Sequence, residues 1–411
     1  MRSLALLVIA TFVALLLGEV GLRLADQSYY WAYAKRPDAV LGWRPPPEQS
    51  GWQRFEGEAL IETNKLGFRD RDHPVPKSSG VLRVAVLGDS FTEAVQVPID
   101  DTWWRKMGDR LRHDGCASGT GQRVEVLSFA ISGYSTAQSL LAWRAFAKQF
   151  APDVVILAFF IGNDLNENLD ALDEEPLRPY LIPTDEGLML DDGFKRSTAY
   201  RDATRVAGRA RQWLIEHSRI VQLGLQARDA LRVADINSAT DRHSDEPQEL
   251  GVDNAVYRRP TTPEWEAAWV ATEAMLAAFA NETRAAGAQP ILMIIGTGAQ
   301  VHPNPRGRAR FAQALGVDDL GYPVRRLLGT AGTHQMPVIN LPALWTGPAR
   351  QPSQHLHGFP GGRPGFGHWN HLGHAAAGAA AADVLCKLWR PRKAGWLSSQ
   401  YRDGDALGRA R

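Results

Sequence analysis

Four short segments carry the residues that could do chemistry. The first is Gly88-Asp89-Ser90-Phe91-Thr92-Glu93, which follows directly on the apolar run LRVAVL at residues 82–87. A serine between a buried strand and a helix start sits at the carboxyl edge of a sheet, where its main-chain N–H has no helical partner. Ser90 reads there either as a helix cap or as a nucleophile. The second segment is Ser128-Phe129-Ala130-Ile131-Ser132-Gly133-Tyr134-Ser135. Gly133 reads first as a turn glycine, and its missing Cβ would also let the backbone approach a ligand. The third is Phe160-Ile161-Gly162-Asn163-Asp164. Asn163 reads first as a turn residue, and its amide could otherwise face an oxyanion. The fourth is Gly367-His368-Trp369-Asn370-His371-Leu372-Gly373-His374, just before an alanine-rich run. His368 is a better general base than the three histidines are a metal site, because the loop has no nearby carboxylate and two of the three head into the helix.

These pieces need a frame that brings them together. Five short apolar runs bounded by turn residues read as buried parallel strands: 82–87, 124–130, 154–160, 290–295 and 337–341. Helical patterns separate them at 101–112, 136–149, 262–286 and 371–389. The third opens on Thr-Thr-Pro-Glu, a good helix start. Alternating strands and helices predict an α/β fold with a parallel sheet covered on both faces. Residues 165–260 interrupt the alternation. They hold acidic stretches, a helix pattern at 200–217 and a polar segment at 237–251, and read as an insertion over the carboxyl edge of the sheet, where such folds bind ligands. Residues 27–80, rich in Pro, Gly and Trp, read as an irregular extension with short strands packed on the main body. The tail at 391–411 is polar and is expected to fray.

At the N-terminus Arg2 precedes LALLVIATFVALLL, an apolar run at residues 4–17. No small-x-small cleavage site follows it, and the pattern runs on through Glu19 and Arg23, four apart and able to pair on a helix. An uncleaved signal anchor over residues 1–26 is the preferred reading, ahead of a cleaved signal peptide and then a buried core helix, with the rest of the chain exported. The chain of 411 residues balances 46 Lys and Arg against 45 Asp and Glu. That balance offers no electrostatic footprint for nucleic acid. Two cysteines, Cys116 and Cys386, can build neither a disulfide framework nor a cysteine zinc site, and their distance in sequence leaves a single pairing open.

Taken together and in order, Gly-Asp-Ser at 88–90, Gly133, Gly-Asn-Asp at 162–164 and His368 resemble the SGNH hydrolases, the GDSL esterase and lipase superfamily. The resemblance covers about residues 81–390. Trp-Glu-Ala-Ala-Trp at 265–269, Gln-Val-His-Pro at 300–303 and Leu-His-Gly-Phe at 356–359 look like a membrane-anchored bacterial branch of it. The resemblance implies a flavodoxin-like three-layer α/β/α sandwich, with Ser90 as nucleophile and His368 as general base. It implies an oxyanion hole of the Ser90 and Gly133 N–H groups with the Asn163 amide. No metal or organic cofactor is required for that chemistry. The substrate would be an ester, O-acylated glycan being one class. An O-acyltransferase acting on cell-surface polysaccharide and a silent glycan-binding relative are the alternatives. Asp89 is expected to brace the turn, and His302, His355, His357 and Trp369 to line the site or serve the structure. One departure stands out. The superfamily carries Asp two or three residues before the histidine, and here those positions are Phe366 and Gly365. A main-chain carbonyl or a water is expected on the far nitrogen of His368, ahead of a carboxylate from another loop.

Overall fold

The computed structural model describes residues 2–113, 123–243, 252–347, 354–360 and 364–389. Cys116 and the tail at 391–411 lie outside them. Helix α1 (Arg2–Leu24) comes first, and a short antiparallel hairpin follows, β1 (Ser50–Gln53) with β2 (Ala59–Glu62). The central sheet holds β3 (Val81–Leu87), β4 (Arg123–Ser128), β5 (Val154–Phe160), β6 (Gln289–Ile295) and β7 (Val338–Asn340). Its five strands are all parallel, in the order β7-β6-β5-β3-β4. Every residue of β5 is buried, as expected for a strand covered on both faces. One helical layer holds α3 (Trp103–His113) and α9 (His371–Trp389), packed on each other. The other holds α4 (Thr136–Ala142), α7 (Pro263–Ala285) and α8 (Tyr322–Thr333). The α/β/α sandwich and its five-stranded parallel sheet are those the resemblance implies.

The strand order reverses between β3 and β5, and ligands of open α/β sheets bind at the carboxyl ends of strands at such a point. Main-chain bonds join the loops there. Phe129 N–H donates to Val86 O at 2.9 Å, Ile131 N–H to Gly88 O at 3.4 Å and Ile161 N–H to Ile295 O at 3.0 Å. Helix α4 is started by a capping box. Ser135 Oγ accepts from Gln138 N–H at 3.4 Å, and Gln138 Oε1 accepts from Ser135 N–H at 3.2 Å. Thr262 caps α7 and Pro263 opens it.

Several boundaries differ from the sequence reading. The run at 124–130 leaves the sheet at Ser128, because Phe129 to Gly133 turn toward the β3 end. The pattern at 136–149 is α-helical only to Ala142, then passes through a π turn (Trp143–Ala147) and a 3-10 turn (Lys148–Phe150). The helix expected at 200–217 is two, broken by extended backbone at Arg205: Thr198–Thr204, then α5 (Val206–His217). The insertion also holds an antiparallel hairpin (Tyr180–Thr184 with Gly187–Asp191) and α6 (Arg219–His243), which reaches into the polar segment expected at 237–251. Nor does the insertion keep to the carboxyl edge. Tyr257 meets Thr297 there at 2.6 Å, but α6 leaves that edge and packs on α1 and the extension, with Gln222 Oε1 accepting from Tyr29 N–H at 3.2 Å.

The extension is fastened to the sheet end by buried polar and aromatic contacts. Tyr134 Oη donates to Trp43 O at 2.6 Å, and the two rings meet edge to face at 5.6 Å. Gln138 Nε2 donates to Leu41 O at 2.7 Å. The guanidinium of Arg69, fully buried, donates to Glu93 O at 2.9 Å and to Val97 O at 2.7 Å, just beyond the Ser90 turn. Each bond contributes about 1 kcal/mol, and a buried guanidinium left unpaired would cost several times that. Residues 27–80 are therefore bound to the elements that carry the site.

Candidate active site

Ser90 opens α2 (Ser90–Glu93), a single turn directly after β3. Gly88 makes this turn possible. Its φ is 151°, and a Cβ there would lie 2.9 Å from Ala158 O on β5. Asp89 braces the turn, its Oδ1 accepting from Phe91 N–H at 3.0 Å. The carboxyl of Asp89 is fully buried. Burial pushes it up to about 6 from 3.8, against the pull of the Phe91 N–H. Burial likewise raises Glu167, to about 8, and Asp164 well above the carboxylate range. Between pH 3.8 and 6 the folded chain keeps a proton on Asp89 that the unfolded chain has lost. The stability this contributes is complete below about pH 4 and is lost as pH rises through 6. Asp89→Asn keeps the cap and cannot ionise. It is expected to stabilise the fold by about 1–3 kcal/mol near pH 8 and to give no gain near pH 4. Thermal melts at the two pH values check this.

His368 lies in the loop before α9. Its Nε2 is 2.9 Å from Ser90 Oγ, and its Nδ1 is 2.6 Å from Glu56 Oε2. The His368 main-chain N–H donates to the other carboxylate oxygen, Glu56 Oε1, at 2.8 Å. Glu56 therefore holds both the ring and the backbone of this histidine. Burial pushes the Glu56 carboxyl up, but the bonds and charge of His368 outweigh it and hold the group below the usual glutamate value. The expectation of a carbonyl or water on the far nitrogen is corrected: a carboxylate from another loop stands there.

Glu56 belongs to the turn between β1 and β2. Gln53 shapes that turn, donating through Nε2 to Glu56 O at 2.8 Å and accepting from Phe55 N–H at 2.6 Å. Gly367, at φ 79°, is what lets the carboxylate in, since a Cβ there would fall 2.4 Å from Glu56 Oε1. Sequence reasoning missed Glu56 because it lies 312 residues before His368. The available signal was indirect: no acid at Gly365 or Phe366, and an aromatic-rich extension that must dock somewhere.

Gly133 follows β4, and its main-chain N–H, like that of Ser90, is not spent on another hydrogen bond among the described residues. Gly133 O accepts from Arg178 Nη1 at 2.6 Å, which fixes the peptide. Ser132 N–H donates to Glu93 Oε2 at 2.7 Å, tying this loop to the Ser90 turn. Asn163 follows β5. Its Nδ2 donates to Glu167 Oε1 at 3.3 Å, which leaves the second N–H of that amide for another acceptor.

The other candidates form the wall behind His368. Trp369 is fully buried, its ring 5.0 Å from Phe91, and Nε1 donates to His357 Nε2 at 3.1 Å. Buried in this way, it packs rather than stacks on a sugar. His357 Nδ1 in turn meets Gly367 O at 2.7 Å. His302 and His355 pack edge to face at 5.1 Å beside Gly365. The histidines of the 368–374 segment diverge: His371 Nδ1 meets Asp101 at 3.1 Å, and His374 is buried against Trp369. Trp103, Trp104 and Trp143 are core residues.

No family profile matches this chain, and no curated protein matches it. Among solved structures it is similar to the acetyl xylan esterase AlAXEase, at 12% identity and a TM-score of 0.35 over 75% of this chain and 99% of that one. It is also similar to a lipase from a goat rumen metagenome, at 13% and 0.36 over 74% and 97%. A GDSL-like lipase from Bacteroides thetaiotaomicron aligns at 13% and 0.31 over 74% and 84%. Likeness this distant carries no assignment.

Proposed function

We propose that this chain is a serine esterase of the SGNH type, anchored in a membrane with its catalytic part exported. One observation carries the reading. A line of hydrogen-bonding groups runs from Ser90 Oγ through His368 to Glu56, at the carboxyl edge of a parallel sheet, where such folds bind ligands.

The chemistry is acyl transfer to water. Ser90 Oγ attacks the ester carbonyl as His368 Nε2 takes its proton. Glu56 keeps the Nδ1 proton in place and stabilises the imidazolium that forms. The oxyanion is received by the Ser90 and Gly133 N–H groups and the free N–H of Asn163, each contributing on the order of 3 kcal/mol. The C–O bond to the alcohol breaks, and the proton on Nε2 goes to the departing oxygen. Water then attacks the acyl-serine, with His368 again as base, and releases the acid and Ser90.

Helix α1 is 23 residues long and apolar enough to cross a bilayer, and none of its residues is buried in the fold. Cys386 is disulfide-bonded, and such bonds persist in oxidising compartments outside the cytoplasm. Both support anchoring and export. That setting makes O-acylated envelope glycans the first substrates to assay.

A fluorophosphonate probe tests the reading. Peptide mapping is expected to place one adduct on Ser90, blocked by prior heat denaturation. A folded protein that takes no label, or takes it elsewhere, overturns the assignment and favours a silent binding relative.

A further inference from the structure

The insertion carries an amphipathic helix placed to meet lipid. On α5, at 100° per residue, Val206, Ala207, Ala210, Trp213, Leu214 and His217 fall in one arc of about 120°. Ile215, opposite, is buried. The arc faces outward: Val206 is 75% exposed, Trp213 60% and Leu214 47%. Arg209 and Arg211 flank it, one on each side. Both are exposed, and neither has a carboxylate partner among the described residues. Nearby acids are already paired, Asp202 with Arg205 at 2.9 Å and Glu216 with Arg36 at 3.6 Å.

The foot of α1 is fixed to the end of this helix. Glu19 accepts from Ser218 Oγ at 3.1 Å and from the main-chain N–H groups of Arg219 and Ile220 at 3.0 and 3.2 Å, so it caps α6. Arg23 donates to His217 O and, through Nε, to Glu19 at 2.9 Å. Glu19 stands two residues past the apolar run, a rise of about 3 Å. The α5–α6 junction is therefore held at the depth where the apolar run of α1 ends.

We infer that α5 is a membrane-interface seat: its apolar arc lies in the headgroup region of the bilayer that α1 crosses, and Arg209 and Arg211 bind anionic lipid. The chemistry fits this occupant. Tryptophan settles at the interface, and arginines beside an apolar stripe lay their stems along lipid while their charge meets phosphate. Continuity with α1 selects a bilayer over a protein partner. The seat would set the height and tilt of the catalytic edge above the membrane. The inference rests on the anchor reading and is independent of the Ser90 chemistry.

The test uses the full chain in vesicles of phosphatidylcholine, with and without phosphatidylglycerol. Ala210→Cys carries an environment-sensitive fluorophore, and a headgroup-level lipid quencher reports contact. Quenching is expected to be at least about twofold greater with phosphatidylglycerol, and to be lost when Arg209→Glu and Arg211→Glu are added. Unchanged thermal melts show that these surface variants fold. A label left unquenched on protein that floats with the vesicles overturns the seat, as does quenching indifferent to the two arginines. Protein that does not float removes the anchor itself, which is a separate failure.

Discussion

Replacing Ser90 by alanine is expected to reduce hydrolysis of a small acetyl ester by at least about 10⁴-fold, leaving the melting temperature within a few degrees of wild type. The change removes one oxygen from a half-buried position, and the turn is built from other atoms: Gly88, the Asp89 cap and the main chain. His368→Ala should fall as far, because nucleophile and base act as one unit, and the double variant should be scarcely worse than either single one. Initial rates on an acetyl ester, with circular-dichroism melts of the same preparations, decide it. Activity near wild type in folded Ser90→Ala would remove the serine from the mechanism, whatever its distance to His368.

The geometry around Ser90 was legible because it is local. A short run such as LRVAVL, bounded by turn residues, reads as a strand buried on both faces, and such a strand must end at a sheet edge. Ser90, Gly133 and Asn163 each follow such a run, so their shared location follows from the alternation of strands and helices. His368 was legible for a similar reason, as a histidine in the loop just before the last helix. The histidines around it were harder to sort. His302, His355, His357 and Trp369 have similar spacing signals, and only the packing shows that they support the loop. The helix ends were blurred where side chains at distance decide them. Residues 143–150 keep a helical pattern but unwind, and Arg205 breaks a pattern that reads as one helix.

Residues 27–80 were legible as an attached extension and illegible as part of the site. Their composition, rich in Trp, Tyr and Pro, shows that they must bury surface on something. Nothing in it says which face, because the contacts are long-range and irregular. Trp43 on Tyr134, Arg69 on carbonyls at and beyond the end of α2, and Glu56 on His368 each join segments that no period or motif links. The same limit applied to the insertion, whose α5 and α6 follow α1 rather than the sheet edge. Thus the line from Ser90 through His368 to Glu56 is complete only when the extension is docked.

The sharpest consequence concerns Glu56→Gln. The amide is isosteric and can still accept the His368 main-chain N–H that Glu56 Oε1 now takes at 2.8 Å, so the loop should keep its place. At Nδ1 the amide can turn its NH₂ toward the ring. It then stabilises the tautomer with its proton on Nε2, which cannot accept a proton from Ser90. A loss of turnover of about 10²–10⁴-fold is expected, with KM little changed, because the lost interaction strengthens only as the imidazolium forms. Glu56→Asp separates geometry from charge. It retains the carboxylate but withdraws it by one methylene, and it should recover part of the rate as the ring tilts to follow. The pH profile adds a readout that a merely structural role would not move. With the Glu56 charge gone, protonated His368 loses its counter-ion, so the acidic limb of kcat/KM should shift to lower pH as the maximum falls. Proton NMR of wild type gives a direct check: the Nδ1 proton of His368 should resonate far downfield and vanish in Glu56→Gln. Full activity with an unshifted limb in a folded Glu56→Gln protein would show that the carboxylate holds the loop and takes no part in orienting the base.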